Sequence, residues 1–137
     1  MGTRAYFEHD ADIGIVGEGK TLEEAFEQAA MALFSIQSDL SEIRSDSKID
    51  FEFIEEDDEY ALVAWLNRLI YEAKHAGLAL CRFELERNEK AWHGKTWGEP
   101  WSESMTRGIE VKGATLTSLS VTKKNDETWE ARCIVDV

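Results

Sequence analysis

Two segments of this chain repeat their apolar residues at helical spacing, whereas its other patterned stretches repeat them at a spacing of two, and that mixture confines the fold to the α+β class. In TLEEAFEQAAMALFSIQ, residues 21–37, Leu22, Ala25, Phe26, Ala29, Ala30, Leu33 and Phe34 fall on one stripe. Thr21 and Glu24 have the spacing of a capping box, in which each covers a backbone donor that the first turn leaves free. Several members of the stripe are alanine, so this helix can lie close to a sheet. In DDEYALVAWLNRLIYEAKHAG, residues 57–77, Leu62, Trp65, Leu66, Leu69, Ile70 and Ala73 form the second stripe. Asp57 or Asp58 is suited to start it and Gly77 to end it. The acidic run from Glu55 to Glu59 reads as its solvated start.

Sheet-type alternation appears in IDFEF, residues 49–53, and in RFELE, residues 82–86, where every second residue is charged. A further strand pair is expected over roughly 109–121 and 128–137, turning at Asn125 and Asp126. The order is strands, helix, strand, helix, then several strands. It predicts two helices packed on largely antiparallel sheet, a layered β-β-α sandwich in which the late strands supply a second layer. The 137 residues suit one domain, 1–137.

Charge narrows the function. Asp and Glu outnumber Lys and Arg by 28 to 15, giving a formal net charge of −13. Proteins that grip phosphate need a basic face, and here the cations are scattered. Tight direct binding to nucleic acid or to an anionic membrane is therefore not expected, and cations or basic protein surfaces are the natural partners. No apolar run reaches the ~18 residues of a spanning helix, and the start carries no hydrophobic signal segment. Cys81 and Cys133 match no redox or zinc spacing. The expectation is a soluble cytoplasmic protein with reduced thiols.

Against that background FEHDADIGI, residues 7–15, stands out, because acids interrupt what otherwise reads as a buried strand. Burying a carboxylate without a partner is costly. Pleating relieves part of the cost: Ala11, Ile13 and Ile15 share one face and Asp12 takes the other. On the last strand Trp129, Ala131, Cys133 and Val135 share a face, opposite Glu130, Arg132, Ile134 and Asp136. Val137 adds a terminal carboxylate beside Asp136. If the last strand paired near Asp12, three carboxylates would converge, an arrangement that repels itself unless a cation neutralises it or a proton is retained. Hard divalent ions favour such oxygen sets, calcium most readily where geometry is loose. The plain alternative is that acids near a terminus are merely solvated.

These segments together resemble the archease family, the small protein partners of the GTP-dependent tRNA-splicing RNA ligase. FEHDADIGI is similar to the family's F-x-H-T-A-D start, retaining His9, Ala11 and Asp12. GKTLEEAFEQAAMALF and WLNRLIYEA resemble its two helices, WGEP and EVKGATLTSL its late segments, and CIVDV its ending. The resemblance covers essentially the whole chain. It implies two helices against sheet layers and a metal site, calcium in relatives, carried here onto Asp12, Asp136 and Val137, the last through main-chain oxygen. It implies a non-catalytic activator that promotes ligase guanylylation and multiple turnover. Asp10 stands where the family usually has Thr, Lys20 where some relatives have an acid, and Gly113 and Leu116 where Ala and Tyr are usual.

Other candidates have bland counterparts. His9, Asp10 and Lys112 are candidate ligase contacts or supports of the site, yet a hydrogen-bonded histidine and a surface lysine are ordinary. Trp92, Trp97 and Trp101 could stack on bases, but the charge favours sheet packing. Nothing marks Thr115 or Ser118 as an activated nucleophile. Two other functions remain to be weighed: a metal-dependent phosphoesterase using the same acids, for which no supporting motif is present, and an acidic, chaperone-like binding module.

Overall fold

A computed structural model describes residues 3–9 and 12–137. The chain forms β1 (Thr3–His9), β2 (Asp12–Gly19), α1 (Leu22–Gln37), a 3-10 turn (Leu40–Glu42), β3 (Ser47–Ile54) and α2 (Asp58–Ala76). It continues through β4 (Leu78–Asn88), β5 (Ala91–Pro100), β6 (Gly113–Ala114), β7 (Ser120–Lys123) and β8 (Trp129–Asp136). This is the expected α+β class: two helices with antiparallel sheets.

Both helices begin where the sequence signals place them. The Thr21 hydroxyl accepts the Glu24 amide at 3.0 Å. The Glu24 carboxylate reaches back to the Lys20 amide at 3.3 Å, one residue earlier than an ideal capping box would have it. Asp57 caps α2 by accepting the Tyr60 amide, and Gly77 ends it at φ 69°, a left-handed conformation that suits glycine. The predicted apolar stripes are the buried ones, with Ile70 only partly covered.

The sheets divide the chain in an unexpected way. A five-stranded sheet runs β1-β2-β8-β6, with β7 also paired to β8. A three-stranded sheet runs β3-β5-β4. The late strands do not form a layer of their own; they join the N-terminal hairpin, and the second sheet comes from the middle of the chain. Each helix touches both sheets. Against the first, Gly17 of β2 lets α1 approach so closely that a Cβ there would stand 2.2 Å from the Ala25 carbonyl oxygen. Against the second, Phe26 of α1 stacks on Trp92, their centroids 5.6 Å apart. Trp65 of α2 packs on Phe51 and donates its indole N–H to the Phe26 carbonyl at 2.9 Å, joining the helices through the core.

Two expectations need correcting. FEHDADIGI is not one strand: β1 stops at His9, β2 starts at Asp12, and these two residues are the terminal pair of an antiparallel ladder. The strand expected over 109–121 is broken in two: it pairs with β8 as expected, but through Gly113–Ala114 and Ser120–Lys123 rather than as one continuous strand. Between them the Thr115 amide and hydroxyl both donate to the Ile134 carbonyl, and Ser118 sits at φ 50°, which breaks extended backbone. Trp92, Trp97 and Trp101 are used for packing. Trp92 is buried, Arg82 lies over the Trp97 ring at 4.3 Å, and Arg107 lies over Trp101 at 4.1 Å.

Candidate functional site at the strand ends

β8 lies at the centre of the first sheet, and its antiparallel register with β2 pairs Ile13 with Val135, Ile15 with Cys133 and Gly17 with Ala131. One further step along both strands brings Asp12 level with Asp136. On the outer sides His9 pairs with Asp12 and Gly113 with Asp136, so four strand ends form one row. Side chains opposite one another across strands have Cβ atoms roughly 4.5–5.5 Å apart. The His9–Asp12 end of the N-terminal hairpin thus lies beside the C-terminal end of β8, and the two aspartates occupy neighbouring positions.

The faces follow the predicted parity. Ile15, Ala131, Cys133 and Val135 are in the main core. Asp12 and Asp136 alternate with them and lie on the other face; Asp12 is partly covered and Asp136 exposed. Ile134, on the face expected to be more polar, is fully buried. Val137 packs its side chain against the core, which anchors its main chain next to Asp136. Neither aspartate side chain has a hydrogen-bond or ion-pair partner among the described residues.

The segment beside β8 is held by polar side chains that periodicity did not single out. The Lys112 amide donates to the Asp136 carbonyl at 2.8 Å. The Gln37 side-chain oxygen, at the end of α1, accepts the Val111 amide at 2.8 Å. Asn67 of α2 acts as a substitute strand for β6, accepting the Ala114 amide at 2.8 Å and donating to the Ala114 carbonyl at 3.3 Å. A polar residue beside an apolar helical stripe is the only trace these ties leave in the sequence. Lys112 therefore adjoins the candidate site through its backbone, and its ammonium pairs with no carboxylate among the described residues. Leu116 is exposed. Asp10 and the His9 side chain lie outside the described residues.

Chemically the set is uniform: two aspartates and the main-chain oxygens beside them, with no thiol or described imidazole among them. Among the described residues no group of three His, Cys, Asp or Glu side chains gathers as a metal cluster. Any cation here would need main-chain oxygen as well as the two aspartates, which is the ligand type hard divalent ions accept.

The family model described as the archease protein family (MTH1598/TM1083) matches residues 5–137. The chain belongs to the archease family. Protein archease of Sulfolobus acidocaldarius is 33% identical over 135 residues, covering 96% of each chain. That of Pyrococcus furiosus is 35% identical over 137 residues, again covering 96% of each. Among solved structures, Methanobacterium thermoautotrophicum protein 1598 aligns at TM-score 0.80 and 27% identity, covering 98% of both chains. The Thermotoga maritima archease, described as a possible chaperone, aligns at TM-score 0.68 and 22% identity over 96% of this chain and 94% of its own, which speaks to fold alone. Among the described residues no helix is long and apolar enough to cross a membrane.

Proposed function

We propose that this archease family member is a non-catalytic activator of the GTP-dependent tRNA-splicing RNA ligase, acting in the cytoplasm to promote ligase guanylylation and multiple turnover. Family membership over nearly the whole chain is the observation that carries the reading. The row of strand ends supports it, because the register brings Asp12 level with Asp136, next to Val137. In this reading Asp12, Asp136 and a main-chain oxygen of Val137 hold a divalent cation, calcium by the family resemblance, and an all-oxygen set suits such an ion. The bound ion would supply concentrated positive charge at the end of an otherwise acidic protein.

The chain's own residues do the rest. The β2–β8 ladder fixes the spacing of the two carboxylates, and the bond from the Lys112 amide fixes the Asp136 carbonyl. Lys112, with Asp10 and His9, is proposed to contact the ligase or support the site. The net charge of −13 steers the protein toward a basic ligase surface.

The test is multiple-turnover ligation by the ligase from the same source, with and without this protein. Wild type is expected to raise turnover, and Asp12→Ala and Asp136→Ala to lose most of that stimulation while remaining folded. Full stimulation by both variants would refute the role given to the acids. Phosphate-ester hydrolysis by the purified protein alone would point instead to a phosphoesterase. Protection of unrelated proteins without any effect on the ligase would point to a general chaperone.

A further inference from the structure

A second candidate site lies where the two helices end. The segment 101–112 folds back across the C-termini of α1 and α2 and walls one side of a half-open cavity of about 360 Å³. Phe34, Ile70, Ala73, Leu78 and Val111 make its apolar lining. Its volume falls at the small end of the range for ligand pockets, roughly 300–1,000 Å³. The walls are tied down on both sides. The Gly108 and Ile109 amides donate to the Gln37 and Ile36 carbonyls at 2.8 and 3.0 Å, and the Trp101 amide donates to the Gly77 carbonyl at 3.4 Å.

The polar groups at the cavity indicate what it would take. Helix C-termini normally present free carbonyls, which repel anions. Here those of Phe34, Ile36, Gln37, Ala73, Lys74 and Gly77 all accept backbone amides. At the rim Lys74 pairs with Glu110 at 3.3 Å. Arg107 differs from its counterparts: Arg44, Arg68, Arg82 and Arg87 each reach a carboxylate, whereas Arg107 rests on the Trp101 ring and has no carboxylate partner among the described residues. An arginine without an acid is notable in a chain with 28 acidic residues. The guanidinium keeps its fork of donors available while the ring screens one face.

The geometry points to a binding site for a compact aromatic carboxylate, its ring against the apolar lining and its carboxylate on Arg107. This goes beyond the ligase-activating role and does not depend on it. Three probes with the same ring separate the terms: indole-3-acetate, the uncharged indole-3-acetamide and the cationic tryptamine. Each is titrated into the ¹⁵N-labelled protein while the Gly108 and Val111 amides and the Trp101 indole N–H are followed. Saturable shifts at these positions are expected with indole-3-acetate, with binding at least about tenfold weaker for the amide and the amine. Arg107→Gln, at an exposed position, should remove that preference while leaving the spectrum otherwise native; Lys74→Met should leave most of it. No saturable shift with millimolar indole-3-acetate would overturn the proposal. So would equal or tighter binding of the amide or amine, or an undiminished preference for the acid in Arg107→Gln.

Discussion

Glu27 sits on the sheet-facing side of α1, and its carboxylate accepts the Leu85 amide at the edge of β4 at 2.9 Å. Burial is the main influence on its acidity and raises the pKa from 4.5, opposed by that hydrogen bond. The folded chain therefore holds this proton more tightly than the unfolded chain does. Its contribution to stability is greatest below the unfolded value, falls as pH rises through the window from about 4.5 to the folded value, and is flat above. Glu27→Gln keeps an oxygen for the Leu85 amide and removes the charge. It is expected to be more stable than wild type at neutral pH, the difference closing below pH 4.5. Glu27→Leu leaves a buried amide without a partner and should be about 1–3 kcal/mol less stable than Glu27→Gln. Denaturant unfolding of the three proteins across that pH range checks both expectations.

At the scale of elements, the sequence showed what its local periods and caps could encode. α1 and α2 were legible because their stripes and their caps at Thr21, Asp57 and Gly77 agree. β3 was legible because Asp50 and Glu52 alternate with Ile49, Phe51 and Phe53. β5 was not, because two of its inward positions are glycines whose task is close approach. A Cβ at Gly94 would stand 2.6 Å from the Phe51 and Trp65 rings, and one at Gly98 would stand 1.9 Å from the Ala79 carbonyl oxygen. The face taken by Asp12 and Asp136 followed from pleating, but the pairing of β2 with β8 joins opposite ends of the chain and leaves no local mark. The short β6 is the extreme case: on the side away from β8, Ala114 gains a strand-like neighbour only through Asn67. Replacing Asn67 with Ala leaves the Ala114 amide without its acceptor and is expected to cost about 1–3 kcal/mol. Amide exchange at Ala114 should speed up more than exchange in β2, the signature of local opening beside Asp136 rather than global loss.

For the molecule as a whole, the charge of −13 acts against compactness, since folding gathers repelling carboxylates. Screening by salt should therefore raise the melting temperature, most steeply at low ionic strength, where the Debye length shortens from ~30 Å at 0.01 M to ~10 Å at 0.1 M. That response belongs to the distributed charge and should survive any single substitution. A site at the strand ends adds a separate effect. A cation that binds only the folded chain stabilises it by mass action, so its effect keeps growing with concentration above its dissociation constant. At matched ionic strength, calcium chloride is thus expected to raise the melting temperature beyond sodium chloride. In the double variant Asp12→Asn, Asp136→Asn the two salts should give the same curve, while the sodium response persists. The asparagines keep the shape and polarity of both side chains, so loss of the calcium increment alone would assign it to the charge of these two groups. If wild type responds alike to both salts, the strand-end acids hold no calcium in the isolated protein, and their part in ligase activation would have to be played by charge without a bound ion.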